Sequence, residues 1–192
     1  EQAIDIAEQK LDGMIVYQDN PMNFSSGADL LGVSQLLATN QIQALANMVH
    51  DFQRVLMRVK YSAIPVVAAL RGRALGGGCE LLMHTDKIIA AFESYPGLVE
   101  AGVGLIPAGG GSKELARRAA KHAAGKDIMP HLYPYFEQLA MGVVASSAPE
   151  AIQRGFLRPD DKIIMHAGEV LFVALSEVKA MQIANYAPPI PE

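Results

Sequence analysis

Several features on which large classes of protein depend are scarce or missing in this sequence. A single cysteine, Cys79, leaves no partner for an intramolecular disulfide, which suits a reducing compartment. The five histidines are scattered along the chain without the spacing of a zinc site, so no metal site is expected. The longest apolar runs, at 64–70 and 88–92, fall far short of the roughly 20 residues that a membrane-spanning helix requires. The sequence therefore gives no sign of a disulfide scaffold, a zinc domain or a membrane span.

Strong charge is missing as well. The net charge of −4 at pH 7 carries no electrostatic signature of a nucleic-acid-binding protein. The N-terminus has no basic region of the kind that opens a signal peptide, which together with the lone cysteine favours a cytoplasmic protein. One basic cluster has two possible interpretations, as a solvated helix face or as a group that holds the phosphates of a ligand. Its members are Lys113, Arg117, Arg118, Lys121, His122 and Lys126.

The chain does contain enough apolar material for a sizeable core. Its 192 residues are 51% hydrophobic, which predicts a single domain over residues 1–192. The sequence begins without an initiator methionine and as if inside a helix, so we expect it to be a piece of a longer protein. Short apolar segments alternate with amphipathic ones, and this alternation predicts an α/β fold.

The pattern also predicts individual elements. Strands are expected at 14–17, 65–70, 86–91 and 160–164. Helices are expected at 1–10, 30–60 with a break near Gly32 or Asn40, 76–84, 114–124 after an N-cap at Ser112, 135–141, 148–154 after an N-cap at Ser147, and 168–185. Residues 18–29 are expected to be turn-rich, and residues 125–134, with two prolines, are expected to form an irregular loop.

Two glycine-rich segments carry the strongest indication of function. Leu-Gly-Gly-Gly-Cys-Glu at 75–80 ends a predicted strand and opens a predicted helix, and Gly-Leu-Ile-Pro-Ala-Gly-Gly-Gly follows at 104–111. A helix N-terminus presents backbone N–H groups that stabilise developing negative charge, and Glu80 and Glu100 nearby could move protons. Neither segment matches the phosphate loop Gly-x-x-x-x-Gly-Lys-Ser/Thr or the dinucleotide pattern Gly-x-Gly-x-x-Gly. Taken alone, such segments are more often tight turns than catalytic loops.

Taken together, the motifs resemble a known family. They are Asn-Phe-Ser-Ser-Gly-Ala-Asp-Leu at 23–30, the run from Ile64 to Leu81, the segment 97–111 with Glu100, and the segment 147–157. In order and spacing they resemble the crotonase (enoyl-CoA hydratase/isomerase) superfamily over about residues 12–160. A more specific likeness is to the hydratase-like C-terminal part of the large 3-hydroxyacyl-CoA dehydrogenases of bacterial fatty-acid β-oxidation.

This resemblance implies a fold and a context. The fold would be a crotonase-like ββα spiral with C-terminal helices, in a single domain with its core at about 12–160 and a C-terminal helical segment at about 165–187. The first strands of the family's domain would precede Glu1, so the chain would be N-terminally truncated. An NAD-binding dehydrogenase part would also precede it, and a homo-oligomer of the trimer type is possible.

The resemblance further implies that the chain adds water to trans-2-enoyl-CoA, giving 3-hydroxyacyl-CoA. The backbone N–H groups of Ala28 and Gly77 would form the oxyanion hole, Glu100 would donate the proton, and Glu80 would hold and activate the water. The substrate-binding residues would be Ser26, Gly27, Asp29, Gly76, Pro107 and Gly109. The ligand would be an acyl-CoA thioester, with no metal and no cofactor in this domain, since NAD would belong to the dehydrogenase part.

Two alternatives stay open. The chain could isomerise enoyl-CoA, which needs one acid/base group and no bound water, although the presence of both glutamates favours hydration. It could also be a non-catalytic module that binds acyl-CoA or stabilises the dehydrogenase part. Three other residues are given structural interpretations: Asp29 as a helix N-terminal residue, Cys79 as a small packed residue, and His84 as part of a helix face.

Overall fold

A parallel sheet of five strands forms the centre of the computed structural model, which describes residues 1–191. The strands are β1 (Met14–Tyr17), β2 (Asn23–Ser25), β3 (Val66–Leu75), β4 (Lys87–Gly97) and β5 (Lys162–Ile164). β1 pairs with the first half of β3, from Val66 to Ala69, and β2 pairs with the second half at Arg73 and Ala74. β4 runs beside β3 from Val67 to Leu75, and β5 borders β4. One strand, β3, therefore organises the sheet.

Gly72 is the point at which β3 approaches the chain before β2 most closely. Its φ is 63°, and a Cβ built there would lie 2.2 Å from the Met22 carbonyl oxygen. That oxygen accepts a hydrogen bond from the N–H of Arg73 at 3.0 Å. The pairing of β3 with β4 shifts register between Leu70 and Gly72. Glycine is required here because any side chain would collide with the backbone.

Eight α-helices surround the sheet in the described part of the chain. They are α1 (Gln2–Lys10), α2 (Leu30–Ala38), α3 (Ile42–Lys60), α4 (Gly77–His84), α5 (Gly111–Ala123), α6 (Met129–Ala140), α7 (Ala148–Gln153) and α8 (Val170–Ile183). Two short 3₁₀ helices lie at Glu100–Val103 and Ala167–Glu169. Among residues 1–191, no helix is both long enough and apolar enough to cross a membrane.

The core lies on both faces of the sheet. Ala68 and Leu70 point into one cluster, which they share with residues of α4 to α7, including Leu82, and with Phe156, which follows α7. The alternate residues of β3 and β4 point to the other face, where α8 covers them with Val170, Ala174 and Val178. Because central strands of a parallel sheet are covered on both faces, they are apolar at consecutive positions, as the run at 65–70 is.

Most predicted elements are confirmed, and several bounds change. The long helix 30–60 is interrupted at Asn40, where φ is 53°, and not at Gly32, which lies inside α2. β3 and β4 run further than predicted, to Leu75 and Gly97, and β2 lies in the stretch expected to be turns. These extensions include polar residues, so hydropathy alone ends the strands too early.

Two predictions are wrong. Ser112 does not cap α5, because that helix begins at Gly111 after Gly110, and the Ser112 hydroxyl donates to the Pro107 carbonyl instead. Residues 125–134 are not all loop, since α6 begins at Met129. Pro130 lies in the first turn, where a missing N–H costs nothing, whereas Pro134 lies inside the helix. Packing of the second half of α6 outweighs the loss at Pro134, as the buried Tyr135 and Gln138 show.

Candidate active site

A cavity of about 670 Å³ lies between the N-terminus of α4 and the helical pair α2–α3. Its apolar wall comes from α2, α3 and the loop before α5, with Val33, Leu45, Val49, Phe52, Leu105 and Ile106. The opposite wall is formed by backbone and carboxylates. The predicted site residues in its lining are Gly27, Ala28, Asp29, Gly77, Glu80, Glu100 and Gly109. Seven of the predicted residues are therefore brought together at one cavity.

The two segments predicted to hold backbone donors lie side by side. β2 pairs with β3 as far as Ser25 and Ala74, so the chain leaves both strands at the same edge of the sheet. A Cβ built on Gly27 would lie 3.2 Å from the Leu75 carbonyl oxygen, and one built on Gly78 would lie 2.4 Å from the Ser25 Cβ. These glycines allow the segments to approach at backbone distance.

α4 begins with its N–H groups directed at this cavity. Gly76, with φ of 54°, turns the chain out of β3, and no side chain caps the helix. The first intrahelical bond runs from the Glu80 N–H to the Gly76 carbonyl, so the N–H of Gly77 has no partner within the helix. The helix dipole adds positive potential at the same point. An oxygen that gains negative charge beside Gly77 would be stabilised.

Glu80 is buried in α4 and held by the loop before α5. Glu80 is only 2% exposed, and one of its carboxylate oxygens accepts a hydrogen bond from the Gly111 N–H at 2.9 Å. Burial raises the pKa of Glu80, while the backbone N–H groups of Gly111, Gly110 and Gly109 oppose the rise. A Cβ on Gly109 would lie 2.4 Å from the other carboxylate oxygen, so the loop can only pass this closely as glycine.

Glu100 reaches the same cavity from the opposite direction. It opens the 3₁₀ helix after β4, and its Oε1 lies 3.3 Å from the position of a Cβ built on Gly76. Its Oε2 is buried and has no hydrogen-bond partner among residues 1–191. Burial raises the pKa of Glu100, and the negative charge of Glu80 raises it further. The two carboxyl groups are thus coupled, and one of them has an oxygen free to bind a ligand.

Asp29, at the rim of the cavity, caps α2 by accepting from the Leu31 N–H at 3.1 Å, which confirms its helix N-terminal role. The other three predicted residues are not part of the cavity lining. Ser26 is exposed, whereas Gly76 and Pro107 are buried and do not line the cavity. Cys79 is packed in the core, as predicted.

Phe52 is a site residue that the sequence analysis missed. Its ring atoms lie 3.2 Å from a Cβ built on Gly77 and 2.5 Å from one built on Gly109. The neighbouring Gln53 donates to the Ala108 carbonyl at 2.6 Å, which ties the same loop to α3. The apolar periodicity of α3 was visible in the sequence, but it indicated only burial and not the surface against which α3 packs.

The basic cluster of α5 lies away from this cavity. Arg117 pairs with Glu114 at 3.0 Å, and Arg118 donates to the carbonyls of Gly155 and Leu157. Both arginines therefore act within the protein, whereas Lys121 and His122 are exposed to solvent. No group of three or more His, Cys, Asp or Glu side chains between residues 1 and 191 is arranged to hold a metal ion.

Comparison with known proteins identifies the class. The model of the family described as enoyl-CoA hydratase/isomerase matches residues 2–158. The chain belongs to this family. It is 36% identical over 185 residues to a probable 3-hydroxyacyl-CoA dehydrogenase of Bacillus subtilis, covering 96% of this chain and 23% of that protein. It is also 36% identical over 112 residues to a probable enoyl-CoA hydratase of Mycobacterium leprae, covering 58% of this chain and 41% of the relative.

Solved structures confirm the predicted crotonase-like fold. An enoyl-CoA hydratase of Polaromonas superimposes with a TM-score of 0.75 at 23% identity, covering 94% of this chain and 64% of that one. One from Bacillus anthracis gives 0.74 at 25% identity, with 97% and 65% covered. The chain spans 64–65% of these solved hydratases and 23% of the Bacillus subtilis relative.

Proposed function

We propose that this chain adds water to trans-2-enoyl-CoA thioesters and forms 3-hydroxyacyl-CoA. The observation that carries the proposal is the meeting of two carboxyl groups, those of the buried Glu80 and the half-buried Glu100, with the uncapped N-terminus of α4 in one cavity. Membership of the enoyl-CoA hydratase/isomerase family supports the same class of reaction. The geometry supports the two functions that this chemistry needs, namely stabilisation of an enolate and proton transfer.

The N–H groups of Ala28 and Gly77 would receive the thioester oxygen. When water adds at the β-carbon, electron density moves to this oxygen and an enolate forms. Two backbone donors and the dipole of α4 stabilise that charge more strongly than they stabilise the neutral carbonyl, and this difference lowers the barrier. Because the donors are backbone groups that follow directly after the paired strands β2 and β3, they are already in place before substrate binds.

The two glutamates would divide the proton transfers. Glu80 holds the water and accepts one of its protons as the water oxygen bonds to the β-carbon, and Glu100 delivers its own proton to the α-carbon. Transfer of the proton from Glu80 to Glu100 then restores both groups. Burial raises both pKa values, and the negative charge of Glu80 raises that of Glu100 further, so protonation of Glu100 is favoured while Glu80 is ionised. A carboxyl group that stays protonated in this way is available as a general acid.

The acyl chain would lie against the apolar wall of α2 and α3, beside Val33, Leu45 and Phe52. No cofactor takes part in this proposal. Relatives named as a 3-hydroxyacyl-CoA dehydrogenase and as fatty acid oxidation complexes suggest that the chain works in fatty-acid β-oxidation. We infer that it does so beside an NAD-dependent dehydrogenase part, and that several copies associate.

The test is the hydration of crotonyl-CoA, followed by the loss of absorbance of the conjugated thioester. Glu100→Gln removes the acid without changing its size, and we expect the rate to fall by about 10²–10⁴-fold. Glu93→Gln makes the same change at an exposed carboxylate of β4 and should leave the rate unchanged. Hydration that survives Glu100→Gln would refute the assigned role.

The two alternatives predict other outcomes of the same experiment. An isomerase would convert 3-enoyl-CoA to 2-enoyl-CoA and add no water to either. A non-catalytic module would bind acyl-CoA, as measured by calorimetry, and turn over neither substrate. Both results would contradict hydration as the function of this chain.

A further inference from the structure

His84 lies directly behind Glu80 and makes contacts that define its protonation. Its Nδ1 is 2.7 Å from the Glu80 carbonyl oxygen, and its Nε2 is 3.1 Å from the Lys113 ammonium. A carbonyl oxygen can only accept, so Nδ1 must carry the hydrogen. An ammonium group can only donate, so Nε2 must accept. Both neighbours therefore require the same neutral tautomer.

Burial keeps this imidazole neutral. The side chain has no exposed surface, and burial lowers the pKa of His84 to about 4. The charged groups that face the ring come from two neighbouring helices: Lys60 from α3, and Lys113 and Glu114 from α5. The Glu114 carboxylate lies 3.7 Å from Nε2 and is itself paired with Lys60 and Lys113. Its negative charge compensates the Lys113 ammonium that approaches the ring.

The same ring packs against the loop that holds the Glu80 carboxylate. A Cβ built on Gly110 would lie 3.0 Å from His84 Cε1, so ring and loop are in contact. The next residue, Gly111, donates its N–H to the carboxylate of Glu80. His84 thus touches Glu80 at its main chain and touches the support of its side chain at Gly110. Replacement of the ring would therefore change the orientation of α4 relative to the loop that holds the Glu80 carboxylate.

We propose that His84, held in its Nδ1–H tautomer by Lys113, is a positioning residue for Glu80. It connects α4 to the loop 109–111 and so sets the direction in which the Glu80 carboxylate points into the cavity. The inference rests on the proposed function, because it assumes that Glu80 acts on substrate. Neither His84 nor Lys113 lines the cavity, so the effect of these two residues on the reaction passes through Glu80.

The kinetic test compares two substitutions of His84. The side-chain amide of asparagine can place its N–H close to the position of Nδ1, whereas leucine has no donor. We expect His84→Leu to lower kcat for crotonyl-CoA by about 10–10²-fold, with KM changed less than twofold, because misplacement of a catalytic group acts on the chemical step. His84→Asn should restore most of kcat. Equal losses in both variants, or a fall only in thermal stability, would overturn the proposal.

Substitution of Lys113 provides an independent test of the proposal. Lys113→Met should lower kcat in the presence of His84 and have no further effect when combined with His84→Leu, because the two residues act through one contact. Additive losses would contradict this coupling. Lys121→Met, at an exposed lysine of the same helix, is the matched control and should leave kcat unchanged.

A spectroscopic measurement separates this inference from the proposed function. The ¹⁵N shifts of the His84 ring report its tautomer whether or not the chain hydrates any substrate. We expect a protonated Nδ1 and an unprotonated Nε2 in the native chain, and a mixture in Lys113→Met. A protonated Nε2 in the native chain would refute the tautomer. If the tautomer is as stated but Glu80→Gln retains full activity, the failure lies with the role of Glu80.

Discussion

The proposed oxyanion hole can be tested at Gly77 by a pair of substitutions, one of which removes the backbone N–H group and one of which keeps it. Gly77→Pro removes the N–H, and Gly77→Ala retains it. Gly77 is the first residue of α4, a position that accepts proline because no intrahelical hydrogen bond is lost. Gly76 precedes it with φ 54° and ψ −126°, an extended conformation of mirror-image type that avoids the usual clash before proline because glycine has no Cβ.

The structure predicts the size of the effect. Both substitutions add a Cβ 3.2 Å from the Phe52 ring, so this crowding is common to both. Their ratio therefore reports the loss of the N–H together with the ring that replaces it. Loss of one oxyanion donor typically costs about 3–4 kcal/mol of transition-state stabilisation, so Gly77→Pro should hydrate crotonyl-CoA about 10²–10³-fold more slowly than Gly77→Ala. The assay is kcat/KM for each variant, with thermal unfolding measured beside it.

If the two variants unfold at similar temperatures and hydrate crotonyl-CoA at rates within threefold of each other, the Gly77 N–H does not stabilise the transition state. If Gly77→Pro unfolds at a much lower temperature, the helix start is less tolerant than its geometry indicates. In that case the comparison moves to a backbone ester at Gly77, which removes the N–H without adding a ring.

Two further predictions concern stability. Burial would raise the pKa of Glu114, but the hydrogen bond and charge of Lys60, with Lys113, lower it to about 2, so its stabilisation is present above pH 4.5 and is lost as the pH falls towards 2. Glu114→Gln should lower the free energy of unfolding at pH 7 by about 3 kcal/mol, because Lys60 is left buried without its partner. Urea unfolding measured between pH 3 and pH 7 should then show a smaller loss of stability with falling pH than in the native chain. An unchanged pH dependence would assign the acid sensitivity to other carboxyl groups. Gly72→Ala should lower the free energy of unfolding by more than about 1 kcal/mol, because φ is 63° and the new Cβ would meet the Met22 carbonyl. Gly125 also has a positive φ but lies in open space, so Gly125→Ala should cost less. Equal losses of stability would show that the backbone at Gly72 moves to accept the Cβ.

The elements that the sequence predicts best are those with a local cause. β1, the start of β3 and α4 are marked by apolar runs and by the glycines that separate them. α7 is marked by Ser147, whose hydroxyl accepts from the Glu150 N–H at 3.3 Å. In each case the residues that form the element also bound it, so a short window of sequence contains the information.

The elements that were missed depend on distant partners. β2 has only three residues, too few for their alternation to predict a strand, and it exists because β3 offers Arg73 and Ala74 as pairing positions. α6 continues through Pro134 because Gln138 donates to the Arg154 carbonyl at 2.9 Å and Tyr135 packs in the core. Proline is a reliable signal of a break only when nothing elsewhere in the fold holds the helix together.

The site shows the same division. The motifs bring Glu80, Glu100 and the glycines to attention because these residues recur together, and the structure places them at one cavity. Phe52 lies in a different helix and carries no motif, so its contact with Gly77 and Gly109 follows only from the tertiary packing of α3. His84 was interpreted as part of a helix face, and its contacts with Glu80 and Lys113 could not be predicted without coordinates.

The pairing of β2 with β3 has a consequence for divergence. Successive residues in a strand are about 3.3 Å apart, so a slip of one residue would carry Ala28 away from Gly77 by more than the length of a hydrogen bond. Strand register and the close contact at Gly72 would therefore set the spacing of the two proposed donors, and the side chains around them would not. Most side chains can be exchanged while such a backbone persists, as the TM-score of 0.75 at 23% identity illustrates. If the reactive centre is built from main-chain groups, as proposed, pockets and substrates can change over long evolutionary times while that centre is retained.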